Sequence, residues 1–141
     1  MPQHVVNKIT QNLEFYDKKL NIAKIVLLGL SYRGNVKEYR YSPTLEIIDI
    51  LNNIEVDVYL HDPLFTNSEV REITSVNFTN DLQKALVHAD CIVLLADHKE
   101  YDESLVSKMD LLANKPYIFI DTRNKFDIEE TTERKIDYLG K

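Results

Sequence analysis

An α/β fold, an open parallel sheet with helices on both faces, is the architecture predicted by this 141-residue sequence. Short β-branched and leucine-rich runs recur along the chain, segments with apolar residues at helical spacing separate them, and prolines mark the joins. Runs such as 91–96 and 118–120 are apolar throughout, as expected of strands covered on both faces in a parallel sheet.

The elements follow in order. Val5, Val6, Ile9, Leu13, Tyr16 and Leu20 lie at helical spacing, and Pro2 falls in a first turn that tolerates its missing N–H, so residues 2–20 are expected to be a helix. Lys24 to Leu30 is the first strand. Ser42 offers an N-cap and Pro43 the first helical position of a helix that Leu45, Ile47, Ile48, Ile50 and Leu51 carry to about Asn53. Glu55 to Leu60 is the second strand, stopped at His61-Asp62-Pro63 because proline brings no ladder donor. A polar loop follows, with a short strand around Ser75 to Phe78. Asn80 is expected to cap a helix carrying Leu82, Ala85, Leu86 and Val87, and residues 90–96 form the third main strand. Leu105, Met109 and Leu112 mark another helix, Pro116 to Asp121 the fourth main strand, and Lys135 to Tyr138 a short edge strand. The sum is a three-layer, Rossmann-like open sheet with right-handed crossovers, preceded by an N-terminal helix. Residues 1–21 read as a connecting helical segment and residues 22–141 as the α/β domain.

Composition narrows the functional classes. With 17 Lys+Arg against 23 Asp+Glu, the formal net charge of −6 argues against nucleic acid or an anionic membrane as partner, since either needs a basic face. A single Cys excludes a disulfide framework or a cysteine-rich zinc site and suits a reducing cytoplasm. No apolar run approaches a membrane span. His4, His61, His88 and His98 show no metal-ligand spacing, so no metal is expected; only His98 falls near a strand end where it could support a site. Cys91 reads as a buried, inert thiol.

In an open parallel sheet ligands bind beyond the carboxyl ends of the strands, near the point where strand order reverses. The first strand leads into Ser31-Tyr32-Arg33-Gly34-Asn35 and on to Arg40, and the fourth main strand into Asp121-Thr122-Arg123-Asn124. With main-strand order 2-1-3-4, Arg33, Arg40 and Arg123 can converge. Guanidinium forks match phosphate oxygens and Tyr32 offers a face for a flat base, which suggests a nucleoside diphosphate. The plainer readings stand beside this one: Arg33 and Arg40 as solvated residues or partners of Glu38 and Glu46, Arg123 as a structural partner of Asp121, Tyr32 as packing. Gly29 and Gly34 do not supply the three close glycines of a dinucleotide-binding turn, and Asn35-Val36 stand where a P-loop needs Lys and Ser/Thr.

Taken together, residues 24–35, Arg40-Tyr41-Ser42-Pro43, His61-Asp62-Pro63, residues 89–93, Asp97-His98 and Asp121-Thr122-Arg123-Asn124 resemble the C-terminal UDP-binding domain of the UDP-glucose/GDP-mannose dehydrogenase family. Residues 1–6 resemble the segment that leads from that family's central helix into this domain. The resemblance implies a UDP-sugar as ligand of Tyr32, Arg33, Arg40 and Arg123, with Arg123 reaching the ligand of the neighbouring subunit. It also implies a full enzyme that is a cytoplasmic homodimer. Its N-terminal domain, missing here, would bind NAD and carry the catalytic cysteine and lysine, and would oxidise the sugar C6 alcohol to a carboxylate in two NAD-linked steps. This chain has no counterpart of those catalytic residues and is not expected to bind NAD or turn over alone. Arg33 stands where the family usually has lysine, and Glu38-Tyr39 depart from its usual residues. The Asp-Thr-Arg-Asn motif looks more like that of enzymes for N-acetylated UDP-hexosamines, UDP-N-acetylmannosamine or UDP-N-acetylglucosamine, than for UDP-glucose. The alternative is a freestanding, non-catalytic nucleotide-binding or regulatory module on the same fold.

Overall fold

The computed structural model describes residues 2–54 and 56–138. Its elements are α1 (Pro2–Phe15), β1 (Lys24–Leu28), α2 (Pro43–Asn53), β2 (Asp57–His61), α3 (Asn67–Ile73), β3 (Asn77–Thr79), α4 (Leu82–Leu86), β4 (Cys91–Leu94), α5 (Ser104–Leu112), β5 (Tyr117–Asp121) and β6 (Arg134–Tyr138). The strands form one sheet in the order β3-β2-β1-β4-β5-β6, and every pair is parallel. The order of the four main strands is therefore the expected one.

Successive residues along the strands face opposite sides of the sheet, as the pleat requires. Ile25, Leu27, Cys91, Val93, Ile118 and Ile120 face a core completed by α1 and α2, while Val26, Leu28, Ile92, Leu94 and Phe119 face a second core with Leu86, Leu105 and Met109. Both faces are apolar, which is why these strands read as unbroken hydrophobic runs. The N-terminal helix shares the first core through Val5, Val6, Ile9 and Leu13. No helix among the described residues is long and apolar enough to cross a membrane.

Several expected boundaries shift. The first helix ends at Phe15 rather than residue 20, because Asp17 turns to φ 55° and the Lys18 N–H returns to the Leu13 carbonyl; Tyr16 and Leu20 reach the core from the turn. The first strand stops at Leu28, where Gly29 swings to φ 113°. The second runs Asp57–His61, and Glu55, its expected start, lies outside the described residues, as do Met1 and residues 139–141. The polar loop contains α3, opened by a capping box in which Thr66 accepts from the Glu69 N–H and Glu69 from the Thr66 N–H. The cap of α4 is Asp81, not Asn80: its carboxylate accepts from the Gln83 and Lys84 N–H groups. Val87 lies just past that helix as its C-cap.

Candidate functional site

β1 and β4 are neighbours whose onward connections leave in opposite directions, β1 towards β2 and β4 towards β5. Such a reversal opens a crevice beyond the carboxyl ends of the strands. The loop 29–42 and the segment after β4 meet there with little room between them. A Cβ on Gly29 would stand 2.5 Å from Ala96 Cβ, and one on Gly34 would stand 2.1 Å from the Asp97 carbonyl oxygen. Glycine is what allows the two backbones this close. On the other side Thr44 Oγ1, in the first turn of α2, donates to the Gly29 carbonyl at 2.6 Å.

A cavity of about 450 Å³ opens at this point, lined by Tyr32, Arg33, Pro43, Leu95, Thr122 and Arg123. Residues 91 positions apart in sequence are joined on its wall: Arg123 Nη2 donates to the Tyr32 carbonyl at 3.2 Å and Nε to the Leu95 carbonyl at 2.9 Å. Asp121 does not hold the guanidinium. Its carboxylate accepts the backbone N–H groups of Arg123 and Phe126, which turns the chain after β5 and aims the Arg123 side chain across β4 towards the β1 loop. Arg33 forms no hydrogen bond or ion pair with a described residue, and the Tyr32 ring is half exposed. Among the described residues no carboxylate lines this cavity.

Arg40 lies elsewhere. It lines a separate concavity of about 530 Å³ together with Lys37, Glu38, Phe65, Glu69 and Glu72. Arg40 grips Glu38 through Nε at 3.0 Å and Nη2 at 2.8 Å, with its own backbone N–H on the same carboxylate, and these bonds hold the Glu38 carboxyl down to about 2. Lys37 is likewise paired with Glu69. Three carboxylates and two committed cations make this larger hollow a poor receptor for an anion. The structure thus brings Tyr32, Arg33 and Arg123 together and leaves Arg40 on its local glutamate, one of the plainer readings its sequence allowed.

Residues 26–128 match the UDP-glucose/GDP-mannose dehydrogenase family, UDP binding domain. The chain belongs to this family. A UDP-N-acetyl-D-mannosamine dehydrogenase of Methanococcus vannielii is 35% identical over 88% of the chain, and a UDP-glucose 6-dehydrogenase of Bacillus subtilis is 30% identical over 85%. The chain spans only 27% of each of these curated relatives. A solved UDP-D-ManNAc dehydrogenase from Pyrococcus horikoshii superposes with a TM-score of 0.81 at 26% identity, over 99% of this chain and 30% of that one.

The first turn of this UDP binding domain does not fit the pyrophosphate of NAD. Its two glycines are filled against the backbone of Ala96 and Asp97, and 14 residues separate β1 from α2, whose N-terminus is already capped by Ser42. Cys91 is buried in β4, where burial first and the charges of Asp90 and Asp137 second push its thiol up, away from reactivity. Among the described residues no cluster of His, Cys, Asp and Glu could hold a metal ion.

The polar centre beneath the cavity contains His98, which sequence reasoning placed near a strand end as support for a site, and Asp62, to which it assigned no role. Asp62, fully buried at the end of β2, accepts from the Leu30 and Ser31 N–H groups, the Ser31 hydroxyl and His98. Burial alone would raise its carboxyl, but these donors and the Leu64 N–H outweigh burial and hold it below 3.8. The His61-Asp62-Pro63 and Asp97-His98 pairs at strand ends were the available signal.

Proposed function

We propose that this domain grips the UDP half of a nucleotide sugar in the cavity between Tyr32, Arg33 and Arg123. It would do so as the ligand-holding part of an NAD-dependent nucleotide-sugar 6-dehydrogenase. The observation that carries this reading is the character of the wall: two guanidiniums, an exposed tyrosine face and, among the described residues, no carboxylate, in a chain of net charge −6. The volume of about 450 Å³ lies within the roughly 300–1,000 Å³ typical of small-molecule sites. Arg33 has its whole fork available for phosphate oxygens, and Arg123 keeps Nη1 after Nε and Nη2 are committed to carbonyls. Tyr32 supplies a stacking face for uracil. Arg40 joins such a site only by leaving Glu38.

Relatives named for UDP-N-acetyl-D-mannosamine support an N-acetylated hexosamine as the sugar, in keeping with Asp121-Thr122-Arg123-Asn124. In the longer, homodimeric and cytoplasmic enzyme, NAD would accept hydride from the sugar C6 alcohol, held with the catalytic cysteine and lysine by the remainder of the protein. This chain's share is binding and orientation. The test is calorimetric titration with UDP. Arg33→Ala removes a charge-assisted contact worth about 1.5–3 kcal/mol, so UDP affinity should fall at least about tenfold. Equal affinity in both proteins, or tight binding of NAD by this chain, overturns the reading.

A further inference from the structure

Asp62 and His98 lie beneath the cavity without lining it, and both side chains are fully buried. One oxygen of Asp62, Oδ2, accepts from the Leu30 N–H at 2.8 Å, the Ser31 N–H at 3.0 Å, the Ser31 hydroxyl at 3.1 Å and His98 Nε2 at 3.0 Å. His98 Nδ1 in turn accepts from the Asn35 N–H at 2.8 Å. An amide cannot accept, so the pattern assigns the neutral His98 ring its hydrogen on Nε2, pointing at Asp62. Ser31 and Asn35 bracket Tyr32, Arg33 and Gly34. Two further bonds hold the outer end: the Asn35 side-chain oxygen accepts the Lys99 N–H at 2.8 Å, and Lys125 Nζ donates to the His98 carbonyl at 2.8 Å.

We propose that Asp62 and His98 are positioning residues for the nucleotide, a two-point clamp that fixes both ends of segment 31–35 and so sets Tyr32 and Arg33 in place before a ligand arrives. The proposal rests on the nucleotide reading above. Asn35 sits at φ 62°, a left-handed conformation that the chain keeps here because its N–H and side chain are both tied. Freed from His98, segment 32–35 has no buried acceptor for that amide and spreads over several arrangements. Binding then carries the ordering cost that the clamp otherwise removes in advance.

Two variants of His98 separate positioning from mere packing. His98→Gln keeps a donor within reach of Asp62 but lacks the ring acceptor. His98→Asn carries its amide oxygen near the place of Nδ1 and can take the Asn35 N–H. UDP is titrated into wild type and both variants, and amide hydrogen exchange is followed at residues 31–35 without ligand. His98→Gln should weaken UDP binding about tenfold and speed exchange at Asn35, while His98→Asn recovers most of both even where the two melt alike. Equal UDP affinity in the three proteins overturns the clamp. Failure of wild type to bind UDP overturns the nucleotide reading instead, and the clamp is then judged by exchange: unchanged protection of Asn35 in His98→Gln refutes it. Should either variant fail to fold, nitrogen-15 spectra of wild type read the tautomer directly, and a hydrogen on Nδ1 of His98 refutes the arrangement.

Discussion

Replacing Asp62 by alanine tests how the crevice is built. The substitution strips the acceptor from the N–H groups of Leu30 and Ser31, both buried, and from that of Leu64, besides the Ser31 hydroxyl and His98. A buried donor left without a partner costs about 1–3 kcal/mol, so the buried N–H groups of Leu30 and Ser31 together with the buried Ser31 hydroxyl set a floor near 3 kcal/mol. For a domain of this size that corresponds to a fall in Tm of about 10 °C. A useful comparison is Asp81→Ala, which also removes a carboxylate accepting two backbone N–H groups, but at the exposed cap of α4. Loss of such a cap costs only about 1 kcal/mol, or about 3 °C. Scanning calorimetry of both variants separates the cases. If Asp62→Ala melts within about 3 °C of wild type, or no lower than Asp81→Ala, the account of a carboxylate holding three strand ends together is wrong.

Two further outcomes follow from other residues. His61 is almost fully buried against the Tyr101 hydroxyl at 2.8 Å, and burial pushes its imidazole down from 6.5 to about 4. Its contribution is complete above pH 6.5 and is lost as pH falls towards 4, because the unfolded chain there takes up a proton that the folded chain refuses. Urea midpoints measured from pH 7 to pH 4 should record a decline of roughly 3 kcal/mol that His61→Asn flattens; an unaltered slope counts against burial as the cause. Arg123→Lys keeps a positive charge but cannot bridge the Leu95 and Tyr32 carbonyls, so Tm should drop by about 3 °C, and a Tm equal to wild type would mean the bridge contributes nothing in solution.

The sheet was legible because its strands are buried on both faces, so hydrophobic run length alone separated Ile25, Val93 and Ile120 from the amphipathic helices around them. The helix α3 was not, because only Val70 of its seven residues is buried and no apolar stripe forms; the Thr66 to Glu69 capping box was its one signal. Helix ends were misplaced where local turns decide them, as at Asp17. For the site, the strand-end rule found Tyr32, Arg33 and Arg123, whose meeting follows from topology. The same rule gathered Arg40 to the crevice, whereas it pairs with a glutamate two residues away, the plainer of its two readings. Asp62 escaped because its importance comes from being surrounded by donors of another strand's loop, a property of the folded chain that no spacing encodes.

Sealing the one sulfhydryl of the sequence inside β4 also has a practical side. Maleimide reagents find no accessible native target among the described residues, so a cysteine introduced at any exposed position can carry a fluorophore uniquely, without first deleting Cys91 and opening a hole in the sheet. Energy transfer from such a label offers a direct ruler for the distance between this module and any partner carrying a second label.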